Sequence, residues 1–321
     1  MNGHFLVTGG AGFIGSHLVD RLLQKGAEVT VIDDLSTGRM ENLANARRAE
    51  RFTFIESKVS TCKNLADIVG TTTCIFHLAA AVGVELVIRS PIQTIRTNLD
   101  ETEAILEAAS EFGVATVIAS TSEVYGKSQK GEFLETDDLL IGPPNLGRWS
   151  YACSKLMDEF LTLAFVHERS LPAMIVRLFN TVGPRQTGRY GMVLPRFISA
   201  ALAGEPLRVF GNGTQTRCFC YVADAVEALL RLQKSPEARG EVVNIGSSEE
   251  ISILDLARRV IALTGSNSEI QLVPYAEAYT PGFEDMLRRK PSIDKLKRLT
   301  GFNPQTHLDE IIQLTAQSLK P

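Results

Sequence analysis

The stretch Phe5-Leu6-Val7-Thr8-Gly9-Gly10-Ala11-Gly12-Phe13-Ile14-Gly15-Ser16-His17-Leu18 decides how the rest of the chain is read. A short apolar run ends in a glycine-dense turn, and apolar residues then recur at helical spacing at Phe13, Leu18, Leu22 and Leu23. The pattern predicts a strand, a tight loop and a helix N-terminus, which together hold a pyrophosphate on backbone N–H groups and the helix dipole. Gly9 permits the turn, Gly12 lets the backbone approach phosphate, and Gly15 lets the helix pack close to the sheet. Plain strand–helix turns can share this look, so the context has to decide. It does: Glu28-Val29-Thr30-Val31-Ile32 reads as a second strand and ends in Asp33, about 20 residues past the loop, where a carboxylate meets ribose hydroxyls. A dinucleotide site is expected, with Phe13 and Ile14 opening its helix. Asp33 favours NAD over NADP, while Arg39 close by leaves the 2′-phosphorylated form open.

Outward from this unit, residues 52–56, 74–79, 116–120 and 173–177 read as further strands, with helices expected at about 97–112 and from about 151 to 165. Alternating strands and helices predict a Rossmann-type, doubly wound parallel α/β sheet, with ligands outside the carboxyl ends of the strands. Residues near Asp33, Ala79, Thr121 and Phe179 should then line one cleft. Past residue 180 the rhythm gives way to short helices, Gly/Pro turns and isolated strands such as 207–210, which predicts a smaller mixed α/β substrate-binding lobe. Residues 241–246 are apolar enough to return to the main sheet. The expected division is 1–178 with about 218–246 for the dinucleotide, and 179–217 with 247–321 for the substrate.

Composition excludes several classes. A formal net charge of −4 offers no electrostatic footprint for nucleic acid or an anionic membrane. No run is long enough to span a bilayer and the first residues lack a signal-peptide plan, so a cytoplasmic protein is expected. Five cysteines, an odd number, argue against a disulfide framework. Cys218 and Cys220, read as sharing one face of a single strand, have no companion ligands, so no metal site is expected. Cys153 is expected to be buried in helix packing.

Tyr151-Ala152-Cys153-Ser154-Lys155 sets a tyrosine and a lysine four apart, on one helical face. An ammonium close to a phenol favours phenolate, which makes Tyr151 a candidate base near neutral pH. A chance pair on an exposed helix is the bland alternative; Ser120-Thr121-Ser122-Glu123-Val124-Tyr125-Gly126 at a strand end argues against it.

Together these residues resemble the extended short-chain dehydrogenase/reductase family, specifically its nucleotide-sugar epimerases, dehydratases and decarboxylases. The matching stretches are TGGAGFIG at 8–15, HLAA at 77–80, TSEVYG at 121–126, YACSK at 151–155, RLFNTVGPRQ at 177–186, LRVFGNGTQTRCFCYVAD at 207–224, NIG at 244–246 and RRKPSIDKLK at 288–297. The resemblance implies a bound, recycled NAD and a 4-keto mechanism on a UDP-sugar, in a homodimer packed through the two long helices. Tyr151 would take the proton of the sugar 4-hydroxyl, Thr121 would orient it, and Lys155 would bind the nicotinamide ribose. Leu78, Ala79 and Ala80 would pass the cofactor, Ser120 would lie beside its nicotinamide half, and Val59 would pack on adenine. Lys58 replaces the usual adenine-binding aspartate. Asn180 would meet the diphosphate or sugar, Phe210 the pyrimidine, and Arg217 and Arg289 the diphosphate, with the arginine matching Arg289 also near the hexose in decarboxylases.

Glu123 separates the reactions: simple 4-epimerases carry a small residue or threonine there, whereas dehydratases and sugar-acid decarboxylases carry glutamate. Ser122, where most dTDP-glucose dehydratases have an aspartic acid, matches the decarboxylases and GDP-mannose dehydratases. The stretch after the fourth strand, Ala80-Ala81-Val82-Gly83-Val84-Glu85, departs from the Ser-Pro-Ala-Ser-Pro-like run of UDP-glucuronate decarboxylases. The expectation is a UDP-hexose or UDP-N-acetylhexosamine dehydratase, UDP-GlcNAc 5,6-dehydratase-like, in which Glu123 removes the C5 proton. The alternatives are a UDP-glucuronate decarboxylase, a UDP-sugar 4-epimerase and, more remotely, a non-catalytic NAD-binding regulator.

Overall fold

The computed structural model describes residues 2–81, 90–186, 192–278 and 286–319. Positions 82–85, which set the chain apart from the glucuronate decarboxylase pattern, lie outside these residues. Seven strands form one parallel sheet: β1 (His4–Thr8), β2 (Glu28–Asp33), β3 (Phe52–Glu56), β4 (Cys74–His77), β5 (Ala115–Thr121), β6 (Ala173–Leu178) and β11 (Val242–Ile245). Their order is β3-β2-β1-β4-β5-β6-β11. The strand order reverses between β1 and β4, the switch point at which a doubly wound sheet opens a crevice for ligands. The return of 241–246 to the sheet is seen as β11, which runs parallel beside β6.

Period-two patterning divides the core. Phe5, Val7, Val29 and Val31 pack on one face with Leu18 and Leu22 of α1 (Phe13–Gln24), while Leu6, Ile32 and Ile75 pack on the other. That second face is covered by Ile105 and Leu106 of α3 (Pro91–Phe112) and Phe165 of α4 (Trp149–Arg169), α2 being Leu65–Gly70. Both long helices begin earlier than their apolar spacing predicts: Pro91 occupies the first turn of α3, where its missing N–H costs nothing.

Beyond residue 180 a separate cluster unites Val182, Leu194, Phe197, Leu207, Val209, Leu256 and Ile311. The strand β8 (Leu207–Phe210) is not isolated as its sequence suggests, because it pairs in parallel with β13 (Ile270–Val273). Cys218 and Cys220 do not share a strand either. The chain breaks at Phe219, so that Cys218 closes β9 (Thr216–Cys218), Cys220 opens β10 (Cys220–Tyr221), and Phe219 enters the second cluster. β9 pairs antiparallel with β12 (Glu250–Ser252), whereas β10 pairs with β7 (Thr181–Val182).

Candidate active site

The nucleotide loop is built by close approach. Gly9 takes φ +69°, and a Cβ there would come 2.7 Å from the Ala79 nitrogen. A Cβ on Gly15 would come 2.2 Å from the Gly9 carbonyl oxygen, so α1 sits against the turn at a distance only glycine allows. At Gly12 the same construction meets only the Gly9 oxygen, at 3.1 Å. Asp33, at the end of β2, accepts the Ala11 N–H through Oδ2 at 2.9 Å and the Leu35 N–H through Oδ1 at 2.8 Å. The carboxylate therefore locks the loop as well as standing where a ribose would lie, and its second lone pairs fit that role. Leu78 and Ala79 complete the wall: the Leu78 N–H donates to the Thr8 carbonyl at 3.1 Å and the Ala79 N–H to the Thr8 hydroxyl at 3.3 Å. Ala80 follows them in the chain. The Val59 N–H donates at 2.5 Å to Glu101, a buried carboxylate of α3 that the sequence reading passed over. These residues fit an NAD site.

At the end of β5 the chain makes a single 3-10 turn, Ser122–Tyr125, capped by the Thr121 hydroxyl accepting from the Glu123 N–H at 3.2 Å. The Thr121 side chain lies close enough to the Tyr151 phenol to favour its ionised form. Arg289 reaches this turn from far along the sequence: its Nε donates to the Ser122 hydroxyl and its Nη1 to Glu123 Oε1, each at 2.9 Å. Arg148 approaches the other Glu123 oxygen at 3.6 Å. Burial alone would raise the Glu123 carboxyl, but Arg289, Arg148 and, from further off, Arg217 outweigh it and hold the group below the usual carboxylate range.

Arg289 is placed by backbone pairing. The Phe133 N–H donates to the Lys290 carbonyl at 2.8 Å and the Ser292 N–H to the Phe133 carbonyl at 2.9 Å. The amide of Asn244, fully buried on β11, donates to Phe133 O and Ser292 O and accepts from the Tyr125 hydroxyl at 2.8 Å. Behind the turn, Arg177 grips Glu159 through Nε and Nη2, at 3.0 and 2.7 Å, and Glu159 also accepts the Ser120 hydroxyl. Ser120 is thereby fixed at the end of the sheet.

Other expected residues lie further from this turn or are engaged differently. Asn180, at φ +26°, donates its amide to the Cys218 carbonyl at 2.9 Å and so braces β9. Arg217 donates to the Thr216 and Met286 carbonyls, each at 2.8 Å. Phe210 carries the Arg196 guanidinium 4.6 Å from its ring centre. Cys153 is exposed, not buried: it lies on the solvent-facing side of α4 that also carries exposed Met157 and Phe160.

Lys155 departs most from expectation. Its ammonium is bonded to Asp158 Oδ2 at 2.6 Å, and both side chains are buried. The Tyr/Lys spacing predicts a lowered phenol, whereas burial, the largest influence on Tyr151, works the other way. Burial raises it well above the ordinary tyrosine value, Glu123 and Asp158 push the same way, and Thr121 and Arg289 oppose them. Asp158 went unnoticed in the sequence, although its i+3 spacing from Lys155 was available as a signal.

A parallel switch-point sheet, a glycine-loop dinucleotide cradle and a tyrosine–threonine pair under an arginine-bearing cover define an enzyme of the extended short-chain dehydrogenase/reductase class. The chain belongs to the GDP-mannose 4,6-dehydratase family, whose model matches residues 6–315. It is 41% identical over 313 residues to a UDP-N-acetyl-alpha-D-glucosaminuronate decarboxylase of Bacillus cytotoxicus, covering 97% of this chain and 96% of that protein. Among solved structures it resembles a UDP-N-acetylglucosamine 4-epimerase from Methanobrevibacter ruminantium, with a TM-score of 0.89, 29% identity and coverage of 99% and 98%. It also resembles the UDP-glucuronic acid 4-epimerase of Bacillus cereus in complex with UDP-glucuronic acid and NAD, with a TM-score of 0.87, 30% identity and 98% coverage of each chain. Among the described residues, no helix is long and apolar enough to cross a membrane.

Proposed function

We propose that this protein is an NAD-dependent decarboxylase of a UDP-hexuronate, with an N-acetylated uronate as the leading substrate. Arg289, bonded to Ser122 and Glu123 beside Thr121 and Tyr151, is the observation that carries the reading. Two guanidiniums converge on one carboxylate, with Arg217 adding to their field. A sugar carboxylate at C6 suits forked guanidiniums gathered at one turn, which bind carboxylates bidentately, better than a neutral hydroxymethyl group does. The 41% identical relative and the B. cereus epimerase support a uronate, since both are named for UDP-linked uronic acids.

The Gly9–Gly12–Gly15 loop and Asp33 would hold NAD, which when bound would supply the hydride chemistry at C4. Tyr151 exchanges the proton of the 4-hydroxyl, which Thr121 orients. Once C4 is a ketone, the C6 carboxylate belongs to a β-keto acid. The C5–C6 bond then breaks, its electron pair passes to the C4 oxygen as an enolate, carbon dioxide leaves, and C5 takes a proton originating in water. No base at C5 is required. The dehydratase reading does require one, together with an acid for the C6 hydroxyl. Glu123, held ionised by arginines, is a feeble base, and Cys153, two residues from Tyr151 on α4, is not on the tyrosine's helical face. Exposed Ile92, Met157 and Phe160 on α3 and α4 support pairing of two copies through these helices.

The test is mass spectrometry of products from UDP-N-acetylglucosaminuronate, UDP-glucuronate, UDP-GlcNAc and UDP-glucose in heavy water. Loss of carbon dioxide from a uronate, with one deuterium at C5, is the expected result. Loss of water from a neutral sugar would restore the dehydratase, and an isobaric product would make the protein an epimerase.

A further inference from the structure

β3 is followed by a turn that is held from α3. Val59–Thr61 make a single 3-10 turn, and Lys58, which precedes it, gives it no side-chain hydrogen bond. The donors of the turn are answered by Glu101 instead. Its Oε2 accepts the Val59 N–H at 2.5 Å, and its Oε1 accepts the Ser60 hydroxyl and, at 3.4 Å, the Ser60 N–H. Glu101 is only 4% exposed, and a carboxylate is costly to bury unless hydrogen bonds satisfy it. Asn98 and Thr102 share its face of the helix: Asn98 Oδ1 accepts the Ala81 N–H at 2.8 Å, and the Thr102 hydroxyl lies 3.2 Å from His77 Nε2. One face of α3 thus pins the chain where it leaves β3 and where it leaves β4.

The place of the turn in the sheet says what it serves. Pyrophosphate belongs at the glycine loop after β1, and the adenosine ribose at Asp33 after β2. The base carried by that ribose lies one step further out, and the next strand in that direction is β3. The Ser57 N–H donates to the Asp33 carbonyl at 3.2 Å, so the turn follows directly from backbone tied to the ribose carboxylate. Val59 has its side chain in the core with Ile32 and Ile75, and its N–H on Glu101. The turn is therefore fixed from both sides. We propose that Glu101 is a positioning residue for the adenine half of the dinucleotide, holding the turn against which the base packs. The inference rests on NAD occupying the glycine loop, not on which reaction of the sugar follows.

The experiment measures the two halves of the cofactor separately. NADH bound to each protein is displaced by AMP or by nicotinamide mononucleotide, and its fluorescence reports the dissociation constant of each. No turnover enters the measurement, so its failure is separable from failure of the decarboxylase reading. In Glu101→Leu the turn loses its acceptors: the constant for AMP should rise about tenfold or more, while that for the mononucleotide stays within about twofold of wild type. An unchanged constant for AMP in the folded variant would overturn the proposal. Equal weakening of both halves would overturn it too, since a residue that merely supports the fold does not choose between them. Glu101→Gln keeps the shape but offers one acceptor oxygen and turns an amide toward backbone donors. Where the leucine variant does not fold, this one decides: AMP should weaken about threefold or more with the mononucleotide unchanged, and wild-type AMP binding would overturn the proposal.

Discussion

His77, at the end of β4, is buried between two hydroxyls, with Thr8 2.8 Å from Nδ1 and Thr102 3.2 Å from Nε2. Burial first, and then the charge of Lys155, lower its pKa from 6.5 to about 3. The unfolded chain therefore binds a proton in the window from 6.5 down to about 3 that the native state refuses, so native stability falls as pH falls through that window. At pH 7 the loss is close to zero. At pH 5 the unfolded-state histidine is mostly protonated while the native one is not, and the linkage relation gives a loss of about 2 kcal/mol. This figure depends almost entirely on the unfolded pKa, since the folded value lies well below 5. The assay is urea unfolding of wild type and His77→Asn at pH 7 and pH 5, read by circular dichroism. Carboxylates common to both proteins contribute equally, so the difference of differences isolates the histidine. The variant should be less stable at pH 7, yet lose about 2 kcal/mol less than wild type on going to pH 5. Equal pH losses in the two proteins would refute the claim that the ring is held neutral. Because His77 supports the wall behind Gly9, the acid-weakened protein should also release NAD as it loosens.

Arg289→Met removes a guanidinium held by two hydrogen bonds, and a charged bond of this kind is worth about 1.5–3 kcal/mol. Steady-state assays should show kcat/KM on a UDP-uronate falling roughly 10- to 150-fold, whereas an equal loss on a neutral UDP-sugar would show that Arg289 does not read the carboxylate. Gly15→Ala places a Cβ 2.2 Å from the Gly9 carbonyl, where only backbone could yield. Fluorescence titration should show NAD binding abolished with far-ultraviolet dichroism intact; unchanged binding would mean that the loop accommodates it. Arg177→Met strands the buried Glu159 carboxylate, costing about 3–5 kcal/mol in thermal unfolding. Adding Glu159→Leu should recover most of that loss, and an equally unstable double variant would refute the assignment.

The sheet was legible because its signals are local. Phe5 and Val7 face one way and Leu6 the other, a period no helix shares, and the glycine turn fixes where β1 stops. The Tyr151/Lys155 pair was legible for the same reason, four residues apart on one helix. What stayed hidden depends on partners distant in sequence. The pairing of β8 with β13 joins residues more than sixty positions apart, and nothing in Leu207-Arg208-Val209-Phe210 names its partner. The break at Phe219 is decided by two sheets that claim its neighbours from different sides. Cys153 was misplaced because α4 exposes a face with apolar residues on it, Met157 and Phe160 among them, so hydrophobicity there does not mark the interior.

Glu123 shows why the reaction is harder to read than the fold. In isolation a glutamate beside Thr121 at a strand end is a base awaiting a C5 proton. Its basicity is lowered by Arg289, 166 residues away, whose bond favours the anion and weakens it as a proton acceptor. That bond depends in turn on Phe133 pairing with the 290–292 segment, and on the Asn244 amide holding both to the sheet. Asn244 is therefore as much a determinant of the site as the residues of the TSEVYG motif, although it sits on a buried strand and has no claim to touch substrate. A fixed anion flanked by guanidiniums is poorly suited to taking a proton from carbon. It is well suited to orienting those guanidiniums toward a second carboxylate, and a reaction that discards a carboxylate needs no base at C5.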